Sequence, residues 1–271
     1  GHQPSLERYS KTCYFSRQVS FVSKNSLPLG MGSMSTDDCI LDFDMQLIDL
    51  FKQMDMKTLT MKEKINNEYF HIKELLEQRP TRVELFTYME DSIYQYCMSH
   101  AKENPFRHYL DFLNDLNELS DDEKAVYKTI GRDFINLIET TDMQKVYKMP
   151  ILYAFYNQGN IKSAITDKDV LSTWKEFFSK NKNWKDFASD MTYDKYLKIT
   201  DKQHLAKAKT MPIKYLKASG KGFFVGKEGF ALALNENLKE IIKNKVFVDN
   251  MRDVLEYRTI EYYRKRYNME K

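Results

Sequence analysis

The chain has 271 residues, of which 42% are hydrophobic, 14% aromatic and 30% charged, and its formal net charge is +3. This length suffices for one large domain or two of ordinary size, and no run approaches the roughly 18 consecutive apolar residues of a transmembrane helix. The opening GHQPSLERYS lacks the pattern of a signal peptide, and three scattered cysteines without a CxxC pair argue against a disulfide framework or a zinc site, so we expect a cytoplasmic protein.

Apolar residues recur at helical spacing from Phe43 onward. Thr60, Thr81 and Ser120 each precede a glutamate by three positions, which predicts capping boxes at three helix starts. Gly159 is expected to close the last helix of this part. We expect helices over 43–54, 61–78, 82–89, 91–100, 105–117, 120–139 and 149–159.

The second half of the chain shows a change of pattern. Two β-rich runs, 223–225 and 230–234, flank the sequence Gly226-Lys227-Glu228-Gly229, which predicts a β-hairpin. With the helices on either side, this favours a winged-helix-like arrangement. The expected fold is therefore mostly α, a multi-helix bundle with a short β-hairpin in the C-terminal half. Helices are expected over 166–180, over 201–217 with an interruption at Pro212, over 235–243 and over 246–267.

Charge is distributed unevenly along the chain. Residues 1–160 carry a net charge of −6 and residues 161–271 carry +9. An acidic part followed by a basic part predicts two modules, of which the basic one is the better candidate for contacts with phosphates. We expect an irregular or strand-like lead-in at 1–40, an acidic helical domain at 41–160 and a basic winged-helix-like domain at 161–271.

Catalytic motifs are not recognisable in the sequence. The glycine-rich stretch 219–227 departs from a phosphate-binding loop because Lys221 replaces its first glycine and Glu228 follows Gly226-Lys227 where Ser or Thr is required. The five histidines form no HExxH or HxH pair, so we predict neither a metal nor a cofactor. Carboxylates at Asp37, Asp38 and Asp42 leave a magnesium-dependent nuclease site as an alternative.

Basic residues around the predicted hairpin and on the last predicted helix are the candidate site. Lysines cluster before the hairpin and at its base and tip, and arginines alternate with tyrosines near the C-terminus. Cations placed among aromatic rings serve phosphate contact and base stacking in nucleic-acid-binding proteins, although we interpret the tyrosines as packed inward. The candidate nucleic-acid-binding residues are Lys207, Lys209, Lys214, Lys221, Lys227, Arg258, Arg264, Lys265 and Arg266.

Six strings of the sequence together resemble one region of a known family. They are DDCILDFDMQLIDLF (37–51), RPTRVELFTYM (79–89), NPFRHYLDFL (104–113), IETTDMQKVYKMPILYAFYNQGNI (138–161), MPIKYL (211–216) and VLEYRTIEYYRKRY (254–267). The region is the carboxy-terminal part of bacterial DEAD/DEAH-box, superfamily 2 helicases linked to restriction and phage defence. The resemblance implies an accessory segment downstream of an ATP-dependent motor whose own motifs are absent from this sequence.

The leading hypothesis is a non-catalytic accessory region of a DNA helicase. Its basic half is expected to bind the DNA backbone without sequence specificity, and its partners would be DNA and the helicase motor domains, with no membrane. Two alternatives remain: a protein–protein docking module and the metal-dependent nuclease domain.

Overall fold

The structure is a computed structural model that describes residues 59–157 and 159–267. The lead-in predicted at 1–40 and the helix predicted at 43–54 lie outside the described residues. The chain divides into two compact units, residues 1–80 and residues 81–271.

The first unit contains helix α1 (Met61–Leu76). Its start follows the predicted capping box: the Thr60 hydroxyl accepts from the Glu63 N–H, and the Glu63 carboxylate accepts from the Thr60 N–H. The helix ends two residues before the predicted Gln78, because Glu77 adopts a left-handed φ of 53°.

The second unit is mostly helical. Capping boxes at Thr81, Ser120, Thr166 and Thr200 begin four of its helices, so the boxes predicted at Thr81 and Ser120 are confirmed. The helices are α2 (Arg82–Tyr88), α3 (Asp91–Ser99), α4 (Tyr109–Asp115), α5 (Asp121–Tyr127), α6 (Ile130–Thr140), α7 (Lys148–Phe155), α8 (Asp167–Ser179), α9 (Tyr193–Leu197), α10 (Asp201–Ala208), α11 (Lys214–Ser219) and α12 (Lys245–Arg266). Short 3₁₀ turns lie at Ala101–Glu103, Asn183–Asp186, Glu236–Leu238 and Ile241–Lys243.

The strands of this unit form two small antiparallel sheets. One is a hairpin of β1 (Tyr156–Asn157) and β2 (Asn160–Ile161). The other has three strands in the order β3–β5–β4, from β3 (Ala164–Ile165), β4 (Phe224–Val225) and β5 (Leu232–Leu234). The predicted hairpin is therefore present as β4–β5, and β3 adds a strand that the sequence pattern did not indicate.

Helix α12 is the central helix of the second unit and contacts α2, α5, α6 and α7. Phe134 on α6 shows how the packing works: its ring centroid lies 5.8 Å from that of Phe247 on α12 and 5.3 Å from that of Phe223 beside β4. Residues on both sides of position 160 thus share one core. The division of the chain into compact units falls after Pro80.

Two predicted helices are shorter or divided because local side chains bind the backbone. The helix predicted over 120–139 is interrupted by Thr129, whose hydroxyl accepts from the Gly131 N–H and caps α6. The helix predicted from 105 begins only at Tyr109, because the Asn104 side chain accepts from the Phe106 N–H and holds residues 104–107 in a turn.

Two other predicted helices end differently. The helix predicted to close at Gly159 stops at Phe155, and Gly159, with a φ of +85°, serves the tight turn between β1 and β2. The helix predicted over 235–243 consists of two 3₁₀ turns, the first capped by the Asn235 side chain.

Candidate nucleic-acid interface

The candidate interface begins with the helical segment before the hairpin. Helix α10 starts at a capping box between Thr200 and Gln203. It is followed by a π-turn, Lys209–Ile213, that contains Pro212 and leads into α11. Proline has no backbone N–H to donate within a helix, and the N–H of Lys214 donates to the carbonyl of Lys209, five residues back. The predicted interruption at Pro212 is confirmed, and it takes the form of a π-turn.

The π-turn determines which lysines share a face. In an uninterrupted α-helix, Lys209 and Lys214 would be separated by about 140° around the axis, since each residue turns the chain by about 100°. The wider turn, closed by an i→i+5 bond, brings Lys214 back toward the face of Lys209. Lys217 follows one α-helical turn later. These three lysines therefore form one row along the segment.

The hairpin turn lies beside this row. Its sharpest point is Lys227–Phe230, where the Phe230 N–H donates to the Lys227 carbonyl over 3.1 Å and Gly229 has a φ of +78°. A positive φ at this position is what a type II turn requires and what glycine supplies without strain. The turn predicted at Gly226–Gly229 is confirmed, with its hydrogen bond displaced by one residue.

An open groove of about 760 Å³ runs between the helical segment and strand β5. The row of lysines forms much of one wall, and Phe230 and Ala231, the two residues before β5, form the other. Lys217 extends toward the hairpin, where its Nζ lies 3.8 Å from the position that a Cβ on Gly226 would occupy. We call this the basic groove; it is lined by Lys209, Thr210, Ile213, Lys214, Lys217, Ala218, Phe230 and Ala231.

The positive charge of the basic groove is largely unneutralised. Lys209 forms an exposed ion pair with Asp167, with 2.6 Å between Nζ and Oδ2. Among residues 59–157 and 159–267, neither Lys214 nor Lys217 has an ion-pair partner, and the same holds for Lys221 at the base of the hairpin. All of these lysines are exposed, so their ammonium groups are accessible to an anion.

Lys207 does not join this row. Its Nζ lies 4.7 Å from the centroid of the Phe187 ring and 5.3 Å from that of Tyr147. Burial, reinforced by the nearby Lys145, lowers the pKa of Lys207. Lys207 is therefore a cation packed on aromatic rings, and it does not belong to the candidate interface.

Two predicted arginines of α12, the buried Arg258 and the half-buried Arg264, pack against other parts of the fold. Arg258 is only 4% exposed; its guanidinium donates to the Glu261 carboxylate and to the Thr141 carbonyl. The Arg264 guanidinium lies 4.7 Å from the centroid of the Tyr94 ring. Both side chains bind partners in the fold, so neither is available to the basic groove.

The other two predicted site residues of α12, Lys265 and Arg266, lie at its C-terminal end and are exposed. Lys265 Nζ lies 3.1 Å from Glu261 Oε1, and Arg266 Nε lies 3.4 Å from Oδ1 of the buried Asp186. The tyrosines near these residues are packed largely as predicted. Tyr257 and Tyr262 are buried, whereas Tyr267 is exposed.

Three exposed apolar side chains near the lysines were not predicted. Phe230 lines the groove and is 39% exposed, with Lys227 Nζ 5.1 Å from its ring centroid. Met211 and Tyr215, four residues apart on the helical segment, are also exposed. The sequence assigned Phe230 to a strand, but its place directly after the turn glycine is the signal that it lies at the hairpin tip.

Within the described part of the chain, no group of three or more His, Cys, Asp or Glu side chains could hold a metal ion. The described cysteine, Cys97, is buried, and burial raises the pKa of its thiol to about 12, which disfavours the nucleophilic thiolate. Asp37, Asp38 and Asp42, the carboxylates of the nuclease alternative, lie outside the described residues.

No helix among the described residues is long and apolar enough to cross a membrane. Comparisons of the chain with models of known families, with curated proteins and with solved structures find no match. The resemblance to helicase proteins therefore stays a prediction.

Proposed function

We propose that this chain is a non-catalytic nucleic-acid-binding protein that holds the phosphate backbone of DNA in the basic groove. The observation that carries the proposal is the row of Lys209, Lys214 and Lys217 facing the hairpin, two of them without an ion-pair partner in the described structure. A row of ammonium groups matches a phosphate backbone and reads no base edges, so the expected binding is independent of sequence.

The order of elements supports a winged-helix-like interpretation of residues 148–234. Helix α7 is followed, after the β1–β2 hairpin, by β3, α8, α9, the α10–α11 segment and the β4–β5 hairpin, with β5 between the other two strands. In a winged helix, the helix before the hairpin and the hairpin tip face the nucleic acid. Lys221 and Lys227 stand at the base and tip of this hairpin, and their contacts with phosphates belong to the proposal.

The resemblance of the sequence to helicase accessory regions adds a cellular role to the proposal. The chain would act downstream of an ATP-dependent motor in a bacterial restriction or defence system, in the cytoplasm. Reading the gene's neighbouring coding sequence for motor motifs tests this part independently of DNA binding.

The experiment for the groove is a salt titration of DNA binding by the full chain. The double variant Lys214→Ala/Lys217→Ala should weaken binding about equally on unrelated sequences and reduce the slope of log K against log salt by about two. Lys124→Ala/Lys243→Ala is the matched control, because it removes two exposed lysines elsewhere on the second unit. Salt-independent binding, or equal losses in both variants, overturns the proposal.

A protein-docking module is the second candidate, favoured by the exposed Met211 and Tyr215 beside the groove. Salt-insensitive binding to a helicase motor, without affinity for DNA, would support it. Magnesium-dependent cleavage of plasmid DNA would instead support the nuclease alternative.

A further inference from the structure

The wall of the basic groove opposite the lysines carries an aromatic ring. Phe230 is 39% exposed, although it lies only two residues before the fully buried Leu232 that begins strand β5. Its backbone is held firmly: its N–H donates to Lys227, and the next N–H, from Ala231, donates to the Ile165 carbonyl of β3 over 2.9 Å. The ring is thus presented to the groove from a fixed backbone.

We propose that the basic groove takes single-stranded nucleic acid, with one base stacked on Phe230 and the phosphates along Lys214 and Lys217. The inference rests on the proposed function and adds the class of ligand. A positively charged groove combined with an exposed aromatic ring is the arrangement by which proteins bind single strands without sequence preference.

The arrangement of the cations fits one strand. The lysines that line the groove form one row, and one row of ammonium groups follows one phosphate backbone.

The chemistry of the ring leads to the same conclusion. In a duplex, base faces are covered by their neighbours in the stack, so an exposed phenyl ring finds no flat partner there. A single strand offers unstacked bases. Lys227, 5.1 Å from the ring centroid, places a further cation at the same point.

The test compares one sequence as a single strand of about 12 nucleotides and as a duplex, by fluorescence anisotropy with the full chain. Phe230→Leu keeps an apolar side chain and removes the ring; it should lower single-strand affinity about 5- to 150-fold and change duplex affinity less than twofold. Phe230→Tyr should restore single-strand binding. Val225→Ala is the control, because Val225 is the exposed apolar residue of the partner strand β4.

A 2-aminopurine base in the single strand gives a second readout. Stacking on Phe230 should quench its fluorescence, and Phe230→Leu should abolish the quenching while circular dichroism stays unchanged. The single-strand assignment is overturned if single strand and duplex bind with equal affinity, or if Phe230→Leu quenches 2-aminopurine as the unchanged protein does.

The proposed function can survive that result. It stands if the Lys214→Ala/Lys217→Ala variant still shows the lower salt slope. If the protein binds no nucleic acid at all, the proposed function and the single-strand assignment are both overturned.

Discussion

Replacement of Glu139 tests the shared core of the second unit. The Glu139 carboxylate is 2% exposed and accepts from the fully buried Arg82 on α2, over 3.1 Å to Nε, and from the Tyr109 N–H of α4 over 3.1 Å. Burial alone would lower the pKa of Arg82, but attraction by Glu139 and Asp253 outweighs it and raises that pKa, so the guanidinium stays charged.

The expected loss of unfolding free energy follows from the contacts that Arg82 and Tyr109 keep after the substitution. In Glu139→Ala, Arg82 keeps its ion pair with Asp253 of α12, at 2.6 Å, and its place over the Tyr109 ring, but it loses the second carboxylate, and the Tyr109 N–H loses this acceptor. Breaking a buried ion pair costs about 3–5 kcal/mol, since one charge is left undercompensated. Glu139→Gln retains an acceptor without the charge and should lose about 1–3 kcal/mol.

The assay is urea unfolding followed by two signals. Both tryptophans, Trp174 and Trp184, lie after residue 160. Their fluorescence therefore reports on residues 161–271, which the charge distribution predicted to be a separate domain. Because the core is shared, Glu139→Ala should shift the fluorescence and the circular dichroism midpoints together. The control is Glu256→Ala, which removes an exposed pair with Arg252 and should cost no more than about 0.5 kcal/mol. An unchanged fluorescence midpoint would refute the shared core.

Two further predictions concern the elements that support the candidate interface. Leu152 in α7 is 1% exposed, so Leu152→Ala should destabilise the protein by about 2–5 kcal/mol in urea unfolding, and an unchanged midpoint would contradict its burial. Burial alone would raise the pKa of Asp169, but hydrogen bonds from Lys162 and Thr166 lower it to about 2. Because this is below the unfolded value near 4, the stabilisation is present above about pH 4 and is lost as pH falls toward 2. Asp169→Asn should therefore cost about 1–2 kcal/mol at pH 7 and progressively less below pH 4; a difference independent of pH would contradict this linkage.

Features of the fold that depend on neighbouring residues were predictable. The capping boxes at Thr60, Thr81 and Ser120 join residues three positions apart, and the β4–β5 turn depends on Gly229 within the same four residues. Strand β3 was not predictable, because Ala164 pairs with Ala233 from a distant part of the chain. A two-residue strand has no pattern of its own, and only its partner defines it.

Contacts with distant residues also decide which of the predicted site residues are exposed. Lys207 and Lys209 are two positions apart in a basic stretch, and composition treats them alike. The first is drawn over Tyr147 and Phe187, which lie far away in sequence, and the second pairs at the surface with Asp167. Arg258 is likewise removed from the surface by the Thr141 carbonyl. Positive charge could be located from the sequence, but its exposure depends on tertiary partners.

The π-turn shows how one local feature redirects the candidate site. In an uninterrupted helix, Lys214 would share a face with Lys207, because seven residues make about two turns, and that face packs on aromatic rings. The i→i+5 bond after Lys209 rotates everything that follows, so Lys214 moves onto the face of Lys209 and into the groove. Pro212 predicted that the helix is interrupted, but the number of residues in the interrupted turn determines which cations meet the hairpin. The basic groove therefore depends on the geometry of these five residues as much as on the number of lysines.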